Sequence, residues 1–419
     1  MRRLAWMTAA GCFVLVLLLL ALPTGALAGS STTILVHRFT VPISNPWCVD
    51  TDGRYVIAYG YNCELTCYDL RTHKVVAIPG MSGDNVEMGA AIADGTCVWI
   101  PFGNIPLGID GYGISTRRSF SLSAGSPQAT VETPVIDGGI VAWTLDGYGP
   151  LEAYNVATKT RFTICPKGNV TRSVTGIAKG LVVWLETPLV TDPGEIKGYL
   201  VKTKKSIVIC ADPADHDDPV TDGRTVAWRD WRDGDYADVW AYDTLTKRTY
   251  RMSGAARLSG TTLDADAGVF VWGDLRDDAT SVRGYYVPSR TAFVIRPEAG
   301  ITLIGGPRIA KNLVVWDEQL GDVRTLRGAR LHEWVCSVSA PAHTWSRTVT
   351  VLVTSKGSAA KVTHMRFSVN GGHWTAWRAF SRTRPLALSG AAGAKRIRVE
   401  LRDASGHLSL PATATVHLL

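Results

Sequence analysis

Carboxylates crowd three stretches of this chain. Asp215, Asp217 and Asp218 surround His216; Asp230, Asp233, Asp235 and Asp238 share one short loop; Asp274, Asp277 and Asp278 share the next. Oxygen-rich loops suit calcium, which takes about six to eight oxygens. They also suit acid and base catalysis by a carboxylate pair across a glycosidic bond, and hydrogen bonding to a polar polymer. The D-x-D-x-D-G loop closed by a distant glutamate, which would mark a calcium site, is missing. The pattern Trp-x-Asp-x-Arg-Asp occurs twice, at Trp228/Asp230/Arg232/Asp233 and Trp272/Asp274/Arg276/Asp277. A feature repeated along a chain more often holds the repeats together, here by Asp–Arg pairing, than serves one site. The residues placed for ligand contact are Asp217, Asp218, Asp230, Arg232, Asp274 and Arg276, with Tyr148 and Trp231 as aromatic platforms in neighbouring turns. No G-x-S-x-G elbow or H-E-x-x-H helix is present, and the nine histidines have no metal spacing. No catalytic residue and no metal ligand is therefore assigned. No cofactor is expected, calcium being the one ion the loops suit.

The elements that carry these loops repeat. A turn residue, a short apolar run and usually a tryptophan recur as DGRYVIA (52–58), DGTCVWI (94–100), DGGIVAW (137–143), KGLVVW (179–184), DGRTVAW (222–228), DAGVFVW (266–272) and KNLVVW (311–316). Trp99, Trp143, Trp184, Trp228, Trp272 and Trp316 stand 44, 41, 44, 44 and 44 residues apart. A period in the forties filled with short alternating strands predicts a β-propeller with one repeat per blade. Tyr68-Asp69, Tyr154-Asn155 and Tyr242-Asp243 end third strands, where an Asp or Asn side chain can cap the hairpin that follows. The seventh repeat lacks its outer strand. TTILVHRFTV (32–41) alternates like the outer strands SIVIC and RTAFVIR, so the N-terminal strand is expected to complete the last blade and close the ring.

The periodicity stops near 338. Beyond Ser339-Ala340-Pro341-Ala342, read as a hinge, come about 80 residues of short strands with Gly, Asn and Ser turns, as in a small β-sandwich. Residues 1–28 read as a signal peptide: Arg2 and Arg3, an apolar stretch, then Ala26-Leu27-Ala28 as an A-x-A cleavage site. An uncleaved anchor is the alternative. No later segment approaches a membrane span. Residues 339–419 hold 11 Lys and Arg against 2 Asp and Glu, whereas 29–338 hold 31 against 35. A basic tail on a mildly acidic ring points to an anionic polymer as the tail's partner. Trp374 and Trp377 with Arg378 and Arg382 are the residues placed for that contact. Seven cysteines follow the signal, an odd number. Free, half-buried thiols are expected, with one bridge as the alternative.

The fifth repeat, VAWRDWRDGDYADVWAYDTLTKRTYRMS, resembles the exported bacterial TolB-like propeller repeat, with VVW-x-D-x-R-x-G leading to I-Y-x-Y-D-x-x-T-G. The sixth and seventh repeats keep part of it. FSVNGGHWTAWRAF and IRVELRDASGHLS are similar to bacterial Ig-like modules of cell-surface proteins, with Asn370 and His407 departing from their pattern. The resemblance implies location and architecture without a defined activity. The expected fold is all-β: a seven-bladed β-propeller over 29–338, its last blade closed by the N-terminal strand, and an Ig-like β-sandwich over 339–419. The expected role is a secreted, cell-wall-associated binding or scaffold protein. Its propeller face would take an extracellular protein or glycan, and its tail an anionic cell-wall polymer rather than nucleic acid. The alternative is a polysaccharide-active hydrolase or lyase using the propeller carboxylates.

Overall fold

Each turn-plus-tryptophan phrase becomes the second strand of an antiparallel sheet. The structure, a computed structural model, describes residues 26–44, 47–59, 65–80, 86–101, 108–122, 131–189, 194–234, 236–253, 263–276, 279–297, 302–358 and 360–419. These residues form strands and turns, with no helix long and apolar enough to cross a membrane. The signal segment up to residue 25 lies outside the described residues. By contacts the chain divides into two compact units, Thr33–Glu333, and Trp334–Leu419 together with the leading residues to Thr32.

In the first unit six four-stranded sheets follow one another in chain order, each a simple meander. The fifth is typical: His216–Thr221, Thr225–Asp230, Asp238–Asp243 and Arg248–Arg251, with Trp228 opposite Trp240 and Asp243 opposite Arg248. The second strands are buried along their length because sheets pack on both of their faces. Leu181 and Val183 of the fourth sheet pack with Val226 and Trp228 of the fifth, and Ala227 with Phe270 and Trp272 of the sixth. The six periodic tryptophans are each no more than 2% exposed. Burying an indole removes about 150–250 Å² from water, so each tryptophan of this stripe is a large packing term for its sheet.

A seventh sheet forms around Leu313–Leu320, Val323–Pro341 and the N-terminal strand Ala26–Ser44. A Cβ on Gly328 would fall 2.4 Å from the Phe39 ring, as one on Gly284 would from Phe293 and one on Gly111 would lie 2.1 Å from Phe120. Phe120 and Phe293 belong to outer strands. Phe39 therefore occupies the outer-strand place of the last sheet. Arg38 Nε donates to the Ile295 carbonyl at 2.7 Å, and Arg327 donates to Thr40. Leu313, Val315 and Leu326 pack in turn with Val56, Ala58 and Tyr68 of the first sheet.

Local turn chemistry agrees with the repeat. Asp69 Oδ1 accepts the amides of Arg71 and Thr72, Asn155 those of Ala157 and Thr158, and Asp243 those of Leu245 and Thr246. Gly53 and Gly223 hold φ near +90° where the next residue's backbone passes a neighbouring sheet; a Cβ would sit 2.6 Å from Lys311 Cβ and 2.7 Å from Lys179 Cβ respectively.

The second unit has two sheets. In one, Val335–Ser339 pair with Leu352–Lys356, and Thr348–Leu352 with Thr383–Ala387. The other runs His343–Thr344, Ala412–Leu418, Gly393–Asp403, Val362–Val369, Arg378–Ala379. Val349, Val351 and Val353 alternate inward, as do Ile397, Val399 and Leu401. Cys67, Cys97, Cys165, Cys210 and Cys336 are free; Cys63 and the side chain of Cys48 lie outside the described residues.

Candidate functional site

The loop carboxylates of the fifth sheet come together, as ion pairs within that sheet. Asp230 is 1% exposed and receives Arg232 through two bonds of 2.7 Å, plus the Trp228 indole N–H at 3.2 Å. Burial pushes its carboxyl up, but the bonds from Arg232 and Trp228 prevail and hold it below the usual range. Arg232 stacks over Trp240 at 4.3 Å. Asp217 takes Arg229 at 2.6 Å, and Asp218 takes the same guanidinium at 3.1 Å from a left-handed backbone (φ 47°). Burial raises the Asp217 carboxyl against that pairing. Trp231 is half-buried, 6.0 Å from Arg229.

Asp274 lies in the next sheet, is fully buried, and pairs at 3.2 Å with Arg283 from across the hairpin. The position opposite a periodic tryptophan explains the difference from Asp230. Lys197, Arg283 and Arg327 stand opposite Trp184, Trp272 and Trp316, and each reaches the acid two residues beyond that tryptophan: Glu186, Asp274 and Glu318. Opposite Trp228 stands Trp240, so Asp230 is served by Arg232 from its own loop. The side chain of Arg276, and Asp277 and Asp278 altogether, lie outside the described residues.

The inner strands enclose a channel of about 910 Å³ that the sequence did not reveal. Eight carboxylates line it (Asp50, Asp52, Asp94, Glu132, Asp137, Asp218, Asp264 and Asp266) against Arg308 and Lys311. Five of these acids clasp the following sheet, at its inner strand or at the turn that leaves it. Asp50 accepts the Ile92 amide at 2.8 Å, Asp52 that of Gly95 at 2.7 Å, and Asp137 that of Lys179 at 2.7 Å. Asp264 accepts Ile309 at 2.7 Å and Asp266 accepts Lys311 at 2.6 Å. The Ile92 and Ile309 amides are donors on an open strand edge, and those of Gly95, Lys179 and Lys311 are turn donors; each bond satisfies a group the sheet's own ladder does not.

Asp264, Arg308 and Asp50 occupy one register position in the sixth, seventh and first sheets. The positions equivalent to them are Ala91, Val135, Gly176 and Val220. Asp50 and Asp264 keep contact with the channel space yet are enclosed by protein. Burial, then the charge of Asp264, drives Asp50 up to about 7. Burial drives Asp264 to about 6 against the opposing charge of Arg308.

Tyr148, 51% exposed, stands at a smaller cavity of about 440 Å³ with Glu132, Asp146, Arg172 and Ser173. Glu132 and Ser173 line both cavities, so this pocket opens beside the channel. Arg172 is buried in its floor, bonded to Glu186 at 2.8 Å and to the Gly149 and Pro166 carbonyls.

In the second unit Trp374 and Trp377 build a stack with arginines. Arg366 lies 4.9 Å from the Trp374 ring and 4.6 Å from Trp377; Arg398 lies 5.1 Å from Trp374, and Arg402 4.9 Å from Trp377. The order is Arg398, Trp374, Arg366, Trp377, Arg402. Arg378 and Arg382 are exposed and outside this stack. Sequence proximity pointed to those two cations; the ones that meet the indoles come from strands paired across the sheet.

No family model and no curated protein matches the sequence. Among solved structures the chain is similar to an oligogalacturonate lyase in complex with manganese (TM-score 0.51, 11% identity, 71% of this chain and 90% of that one). It is likewise similar to an oligogalacturonate lyase from Vibrio parahaemolyticus (TM-score 0.52, 10% identity, 72% and 97%). TolB from Acinetobacter baumannii aligns over 71% of this chain and 79% of that one, with a TM-score of 0.37 and 11% identity. At these identities the first two likenesses speak for the fold alone. The chain is an all-β protein with a propeller-like arrangement of sheets.

Proposed function

We propose that this is an exported binding protein of the cell surface: a seven-bladed propeller closed by its N-terminal strand, followed by an Ig-like tail. On this reading residues 1–28 are a signal peptide, and the channel and the Tyr148 pocket take an extracellular protein or glycan. The tail holds an anionic cell-wall polymer. The observation that carries a scaffold over a catalyst is what the carboxylates of the ring are bonded to. Asp52, Asp137 and Asp266 accept amides of neighbouring sheets, while Asp230, Asp274 and Glu318 are paired with arginines. An acid so engaged holds sheets and hairpins together, whereas general acid–base catalysis requires a group within reach of the substrate's proton. The hydrolase or lyase reading would rest on Asp50, Asp264 and Glu132 of the channel, whose carboxyls burial raises. No cofactor is needed for binding; calcium in the acidic loops is tested alongside.

The experiment is a cell-wall pull-down and glycan array of the mature chain, with and without calcium. Retention without change in the bound polymer is the expected result. Shortened glycan in the supernatant would overturn it in favour of the enzyme.

A further inference from the structure

The outward residues of Gly393–Asp403 are Arg396, Arg398, Glu400 and Arg402, since Ile397, Val399 and Leu401 are buried on the other side. The two carboxylates of this unit are already engaged. Glu400 pairs with Arg366 at 2.5 Å. Asp403, its side chain fully buried, accepts the Ser405 and His407 amides and faces the His407 ring at 3.0 Å. Arg396, Arg398 and Arg402 thus project from the same face of a strand, and among the described residues of this unit no acid is left to neutralise them.

Stacking decides what they can bind. A guanidinium lying over an indole has its plane fixed, so its N–H donors point outward in that plane as a fork. Each indole meets two guanidiniums at cation–π distance. That coverage takes the ring faces a pyranose would need, so these tryptophans orient charge instead of stacking on sugar. Along a strand, alternate residues stand about 7 Å apart, which places the Arg402 fork two such steps from Arg398; Arg396, one step to the other side, is outside the stack and adds charge alone. Guanidinium forks match the paired oxygens of phosphate.

We propose that this face is a track for a phosphodiester-linked polyol chain, read by the donor edges of Arg398 and Arg402 beside the charge of Arg396, with Trp374, Arg366 and Trp377 as positioning residues. This rests on the reading of the tail as the polymer-holding part and names the polymer chemistry and the residues. Polyuronates and nucleic acid are the competing polyanions.

The test measures binding of the full chain to poly(glycerol phosphate), polygalacturonate and a dT oligonucleotide across a salt series. Poly(glycerol phosphate) is expected to bind tightest. Arg398→Gln/Arg402→Gln should weaken it about tenfold and reduce the log–log salt slope by roughly 1.4, at about 0.7 per lost phosphate contact on a single strand. Trp377→Phe, with charge unchanged, should fall between that variant and wild type, and circular dichroism should be unchanged in each. Equal loss from Arg378→Gln/Arg382→Gln would overturn the proposal, because diffuse charge would then explain binding. Tighter binding of polygalacturonate or the oligonucleotide would overturn it as well. Cell-wall retention that survives Arg398→Gln/Arg402→Gln sinks this assignment alone; loss of wall retention by the unaltered chain sinks the broader reading.

Discussion

The periodic tryptophans of the first unit and the Trp374–Trp377 pair of the second put the same side chain to different uses. In the ring the six periodic tryptophans are buried between sheets, and among them only Trp228 and Trp316 give their N–H to a described acceptor, Asp230 and Glu318. In the tail, Trp374 and Trp377 are half-buried and their neighbours are cations. Position relative to a packing partner sets the role. Where a second sheet covers the indole, area removed from water dominates; where none does, the ring quadrupole holds a guanidinium for about 0.5–1 kcal/mol each.

The sharpest way to break this contrast is to truncate one tryptophan of each kind. Trp228→Ala should cost the ring about 3–5 kcal/mol by cavity formation, read as a lower denaturant midpoint. Trp377→Ala should cost the tail only about 1–2 kcal/mol; equal losses would remove the distinction.

Charge offers a second comparison. Arg232→Gln strips the two-bond partner from a buried carboxylate and should cost about 3 kcal/mol, since breaking such a pair is far dearer than removing an exposed ion. Arg402→Gln should change stability by less than about 1 kcal/mol while still affecting polymer binding.

A smaller effect concerns the channel. The folded Asp50 carboxyl titrates near 7 against an unfolded value of 3.8. The folded state therefore binds the extra proton, and stability falls as pH rises from about 4 to 7. Asp50→Asn should flatten that slope, with a melting-temperature change on the order of 2–4 °C at pH 7.5 relative to wild type. An unaltered slope would show that the proton sits elsewhere.

These examples also separate what the residues disclose from what they conceal. The second strands were legible because turn residue, apolar run and tryptophan are contiguous. The hairpin caps at Asp69 and Asp243 were legible for the same reason. The Asp–amide clasps were hidden: the partner of Asp264 is a backbone N–H 45 residues away, which has no side-chain signature. Asp274 looks from sequence like a partner for Arg276, yet strand register brings Arg283 to it. Trp374 and Trp377 were recognised as a pair, but their cations lie on strands whose pairing the local sequence does not state.

The place of Phe39 against Gly328 has a consequence for assembly. Arg327 and Thr40, bonded in the last sheet, are 287 residues apart in the chain. The strand made first must therefore wait, its edge unsatisfied, until nearly the whole ring has been synthesised. Closing so long a loop adds little to the equilibrium cost, which grows only logarithmically with length, but it places the decisive contact at the end of the folding reaction. Until then the edge of Val323–Pro341 that this strand covers stays unpaired, and the error it invites is to accept the leading strand of a second copy in place of its own.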